Sequence, residues 1–129
     1  MITELSVENF TKIVVNKLNE KTNDVLLSNP QITSIFPCCI VSLPLSSIEI
    51  TEDGVPVRSR FSISIEWWTD KKYSSMQLLD ETDILLRTLG MTRVNTNIDM
   101  FDDITKKYRY GGQYEVFYNG LTNAFERII

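Results

Sequence analysis

Arg60-Phe61-Ser62-Ile63-Ser64-Ile65-Glu66-Trp67 alternates polar and large apolar side chains residue by residue. Successive strand residues point to opposite faces, so this stretch predicts a strand with one apolar face and one small, polar face. Such a strand belongs in an antiparallel sheet covered by helices on one side only. Before it, Glu52-Asp53-Gly54 supplies turn chemistry, and the compact apolar run Cys38-Cys39-Ile40-Val41 opens a preceding strand that extends towards Ile50. The two strands make a long hairpin. Pro44 falls inside the first of them and, lacking an N–H to donate, predicts an edge position or a bulge.

On the N-terminal side, Val7, Phe10, Ile13, Val14 and Leu18 recur at spacings of three and four and predict an amphipathic helix capped by Thr3 or Ser6. Val25, Leu26 and Leu27 suggest a short second helical turn before Asn29-Pro30 breaks the chain. On the C-terminal side, Thr69 or Asp70 caps a helix through Met76, Leu79, Asp83 and Leu86, ending at Gly90. Val94, Thr96, Ile98 and Met100 then alternate, and the polar segment from Asp102 to Lys107 leads into Tyr108, Tyr110, Tyr114, Val116 and Tyr118. That is a second hairpin, with Gly111-Gly112 marking a bulge or the close approach of another backbone. The last residues, 119–129, keep a weak helical stripe of Leu121, Phe125, Ile128 and Ile129 with few local partners. The expected architecture is a single α+β domain over residues 1–129, in the order α-β-β-α-β-β. Its four-stranded, mainly antiparallel sheet carries two helices on one face.

Composition narrows the chemistry. The chain has 129 residues, 43% of them apolar and 23% charged, which is ordinary globular usage. A net charge of -4 offers no general attraction for phosphates. The tight basic group Lys106, Lys107 and Arg109 is half neutralised by Asp102 and Asp103, so no direct nucleic-acid readout is expected. No secretory pattern opens the sequence and no apolar run approaches the ~20 residues that span a bilayer, so a cytoplasmic chain is expected. Cys38 and Cys39, adjacent in a strand, point to opposite faces and read as small buried residues.

There is no histidine, which removes the commonest proton-transfer side chain and metal ligand. Asp99, Asp102 and Asp103 with Glu115 are the remaining carboxylates that could act together in hydrolysis or hold a hard cation, but nothing supplies a nucleophile. Solvated loop residues explain them more simply. The glycine pair precedes strand residues where a phosphate loop would need a helix. The expectation is no catalytic residue, cofactor or metal. Trp67 and Trp68 can both enter one helix-covered core only if the strand bends or ends there; otherwise one indole lies outside it, where it would suit a subunit contact, and an ordinary packing residue at the strand end is the plainer reading.

The whole order carries a resemblance. An N-terminal helix, the entry Phe36-Pro37-Cys38-Cys39-Ile40-Val41, the strand from Phe61 to Trp67, a helix ending Leu89-Gly90-Met91-Thr92-Arg93 and the closing Tyr108-Arg109-Tyr110 segment together resemble the tail terminator proteins of tailed bacteriophages, over roughly residues 5 to 118. The resemblance lies in packing and turns rather than in any single motif. It implies a non-enzymatic virion subunit that assembles in the bacterial cytoplasm. Such a subunit forms a homo-oligomeric ring, usually a hexamer, on the last ring of tail tube protein, ends tail polymerisation and offers a surface to head-tail connector or neck proteins. A head-completion protein of the neck is the alternative within the same resemblance; a small carboxylate-dependent enzyme and a monomeric aromatic binding module are the rivals outside it. The candidate interface residues are Glu52, Asp53 and Val55 in the first hairpin, Trp68 at its end, Asp102, Asp103, Lys106 and Lys107 in the second, and Phe125 and Ile128 in a C-terminal tail expected to pack on a neighbour.

Overall fold

The computed structural model describes residues 3–31 and 34–128. Helix α1 spans Val7–Leu18, and Ser6 caps it by accepting from the Asn9 N–H. A two-residue strand β1, Val25–Leu26, follows, then the long strands β2, Cys38–Glu52, and β3, Val55–Thr69. Helix α2, Lys72–Arg87, leads to β4, Thr92–Asp102, β5, Lys107–Asn119, and the short β6, Ala124–Glu126.

The class is α+β, as expected, but among the described residues the sheet has six strands, in the order β1-β2-β3-β5-β4 with β6 also on β5. The four long strands are the expected ones. The two additions correct the sequence reading: Val25 and Leu26 form no helical turn but pair in parallel with Cys39 and Ile40, and Phe125 of the C-terminal stripe lies in no helix but in a strand against Phe117–Asn119, Ile129 lying outside the described residues. Segments of two or three residues are too short to carry either period, so only their partners make them strands. The cap of α2 also differs. Its N-cap is Lys71, without a side-chain hydrogen bond, because the Thr69 hydroxyl is spent on the Lys71 carbonyl.

Both helices cover one face of the sheet. Phe10, Val14 and Leu18 of α1 and Leu79 and Leu86 of α2 bury against Cys39, Val41, Phe61, Ile63, Ile65, Trp67, Tyr114 and Val116. Trp67 is tied to α2 as well as packed under it: its Nε1 donates to Thr82 Oγ1 at 2.9 Å, and Thr82 donates to the Leu78 carbonyl. Phe125 of β6 joins this core edge-on to Phe10 and Tyr118, at 6.3 and 5.6 Å between ring centres. The C-terminal segment thus has a place in its own chain, and Ile128 beyond it is half-buried.

The hairpins obey their local chemistry. Glu52 pairs with Val55, and Asp53 and Gly54 both take positive φ, 52° and 78°, in the two-residue turn whose twist suits a hairpin. Around Pro44 the β2–β3 register shifts between Ser42 and Leu45, on a strand whose other edge is paired only by β1. Gly111 and Gly112 sit where neighbouring strands crowd in. A Cβ on Gly111 would lie 2.5 Å from the Glu66 Cβ, and one on Gly112 would lie 2.5 Å from the Asn95 carbonyl oxygen.

Gly111→Ala is therefore expected to destabilise the fold by about 2 kcal/mol, because backbone and a Cβ must move apart to admit the methyl group. A urea unfolding curve checks this; a wild-type midpoint would mean that the strands separate at no cost.

Candidate functional site

The face of the sheet away from the helices is built from the alternate residues of the same strands. Across it, Cys38, Trp68, Arg109 and Met100 stand side by side, as do Ile40, Glu66, Gly111 and Ile98. Small residues let longer neighbours fold over them. Glu66 is only 3% exposed, and Arg109 reaches it across Gly111 with Nη2 at 3.1 Å from Oε1 and 3.2 Å from Oε2. The same guanidinium lies 4.6 Å from the centre of the Trp68 ring. Beneath it Trp68, Cys38 and Ile40 make a second, smaller core, flanked by Leu26 and Phe36.

Trp68 does lie outside the helix-covered core, as the alternation predicts, yet it is 2% exposed. It offers almost no surface of its own to a partner. What covers it could not be read from the sequence, since Arg109 is 41 residues away (109 − 68). Both cysteines are free and buried; burial pushes the Cys38 thiol up to about 11, and the Cys39 thiol higher still, so neither is an activated nucleophile.

Further along the same face Arg60 lies between Glu49 and Glu115, each at 3.4 Å, and Arg58 and Arg60 flank the Phe117 ring at 3.9 and 5.1 Å. Glu115 is thus engaged far from the aspartates grouped with it in the sequence. Asp99 pairs with Lys72 at 3.3 Å. Asp102 accepts from the Thr105 N–H and hydroxyl, which together hold its carboxyl below the usual range. The hydrolytic carboxylate group does not form, and among the described residues no cluster of three metal-ligating side chains occurs.

The basic group disperses as well: Lys107 bonds Asp70 and lies over the Phe36 ring, while Arg109 turns to Glu66. Tyr108, Tyr110, Tyr114 and Tyr118 have alternating register on the helix side of β5, where Tyr110, Tyr114 and Tyr118 pack in the main core.

Among the interface candidates, Trp68 and Asp102 line one shallow cleft with Ile104 and Thr105 at the β4–β5 turn. Asp103 and Lys106 are exposed in that turn and Lys107 begins β5. Glu52 and Asp53 are exposed at the β2–β3 tip, with Val55 half-buried behind them. The strand directions put these two tips at opposite ends of the sheet. A further site escaped the sequence reading. Where α2 runs into β4, Asp83, Arg87, Arg93 and Arg127 line a cleft of about 410 Å³. There Asp83 accepts from the Tyr114 hydroxyl and from Arg93, whose Nη2 lies 2.9 Å from Asp83 Oδ2 and 3.2 Å from Asp80 Oδ1. No helix among the described residues is long and apolar enough to cross a membrane.

No protein-family model matches the chain, and no curated protein matches it.

Two expectations test this face and its neighbour. Glu66→Ala leaves a guanidinium facing a buried gap and should cost about 3 kcal/mol in urea unfolding, whereas Glu66→Met combined with Arg109→Met should recover most of that loss. Tyr114 is held protonated by burial and by Asp83, so its folded value lies above the unfolded value of about 10. Its contribution is complete below the unfolded value and is lost progressively as pH rises from there towards the folded value. Melting curves from pH 8 to 11 should therefore fall more steeply for wild type than for Tyr114→Phe; parallel curves would refute the assignment.

Proposed function

We propose that this chain is a structural virion subunit of the tail-terminator kind, which closes into a homo-oligomeric ring on the end of a phage tail tube. The ring, hexameric if it follows the resemblance, ends tube polymerisation and presents its far side to the head connector. It uses no catalytic residue or cofactor. The observation that carries this reading is the pair of open sheet edges. Among the described residues, β2 is bonded on its outer side only at Cys39 and Ile40, and β4 pairs with β5 alone. A long free edge is a template for another strand, and ring closure is the assembly that leaves none.

The strand directions support it. β2, β3, β5 and β4 alternate, so β4 of one copy and β2 of the next meet antiparallel when the copies share one orientation, with all helices on one face. Exposed apolar side chains lie along both edges: Leu43, Leu45, Ile48 and Ile50 on β2, and Val94, Met100 and Phe101 on β4. The two hairpin tips, at opposite ends of the sheet, give such a ring one polar rim for the tube and one for the connector.

Mixing the purified chain with polymerising tail-tube subunits tests the reading by electron microscopy. Tubes of uniform length, each capped by a ring, are expected. Rings that ignore tubes and bind the portal or connector would assign the chain to the neck, and a chain monomeric at every concentration would overturn both.

A further inference from the structure

We infer that the acidic tip of the β2–β3 hairpin of one copy, Glu52 and Asp53, seats in the three-arginine cleft of the next copy. This contact rests on the ring reading above. It follows from where the free edges end. When β4 of one copy meets β2 of another antiparallel, the start of β4, Thr92–Arg93, faces the end of β2. Only that end of β2 is available, because β1 already occupies Cys39 and Ile40. Copies set level would place Thr92 beside Leu45 and run β4 into the place that β1 occupies, whereas laying all of β4 along the free stretch 42–52 of β2 brings Thr92 opposite Glu52.

The charges match at that place. Glu52 and Asp53 are exposed at the tip, and among the described residues neither has an ion-pair partner. The cleft gathers Arg87, Arg93 and Arg127 around Asp83. Arg93 is held by Asp80 and Asp83, which leaves Arg87 and Arg127, both exposed, as the excess positive groups. A guanidinium pair facing two carboxylates permits bidentate bonding.

Two charge-altered chains test the contact: Arg87→Glu with Arg127→Glu, and Glu52→Lys with Asp53→Asn, asparagine being suited to the left-handed backbone at that turn. All four positions are exposed, and melting curves confirm that each variant folds. Light scattering over a concentration series should show each variant assembling at least about tenfold more weakly than wild type. A chain carrying all four changes, and an equimolar mixture of the two variants, should return to wild-type assembly, since every seam again joins opposite charges. If wild type assembles and either variant matches it, the tip and cleft do not meet while the ring reading stands. A four-fold chain no better than its parents also overturns the contact. A wild type that never assembles overturns the ring itself, whatever the variants do.

Discussion

Neighbouring side chains on a pleated strand must point to opposite faces, and on β3 both faces have to be closed. Trp67 and Trp68 make the demand acute. Trp67 meets it beneath the helices, with its indole N–H on Thr82. Trp68 has no helix above it and is instead closed over by Arg109, a cation that needs a carboxylate once it is half withdrawn from water. Glu66, two residues before Trp68 and on the same face, supplies one. The ion pair can form because Gly111 opposite Glu66 leaves no Cβ in the way. Strand alternation, the second small core, the buried charge pair and the glycine are thus parts of one requirement.

The same sheet is closed in its middle and open at its sides. β1 and β6 cover two or three residues of backbone each, and among the described residues the rest of β2 and all of β4 keep one row of peptide groups without a strand partner. Globular chains normally blunt such edges with charges, bulges or prolines. β2 has Pro44 and a bulge beside it, yet Leu45, Ile48 and Ile50 continue outward in a way that water does not favour. The proposed assembly with further copies rests on an edge of this kind, on a sheet with alternating strands.

Much of this architecture was legible from residue order. The Arg60–Trp67 alternation, the Glu52-Asp53-Gly54 turn, the interruption at Pro44 and the crowding at Gly111-Gly112 are all local rules, and the chain follows them. β1, β6 and the Lys71 cap were not legible, because segments so short take their state from whatever lies beside them. Phe125 likewise looked partnerless in a sequence that could not place it edge-on to Phe10.

The candidate site divides on the same line. Residue order by itself settled the four long strands and two helices, the opposite facing of Trp67 and Trp68, and the polar character of both hairpin tips, since periodicity and turn chemistry act over a few residues. Charge partnerships came only with the folded chain. Glu66 meets Arg109 across 43 positions, Arg60 meets Glu115 across 55, and Arg87 and Arg127 converge with Arg93 only where the end of α2, the start of β4 and the segment after β6 come together. Side chains that far apart in the chain are neighbours solely through strand register, which is set by the packing of the whole sheet.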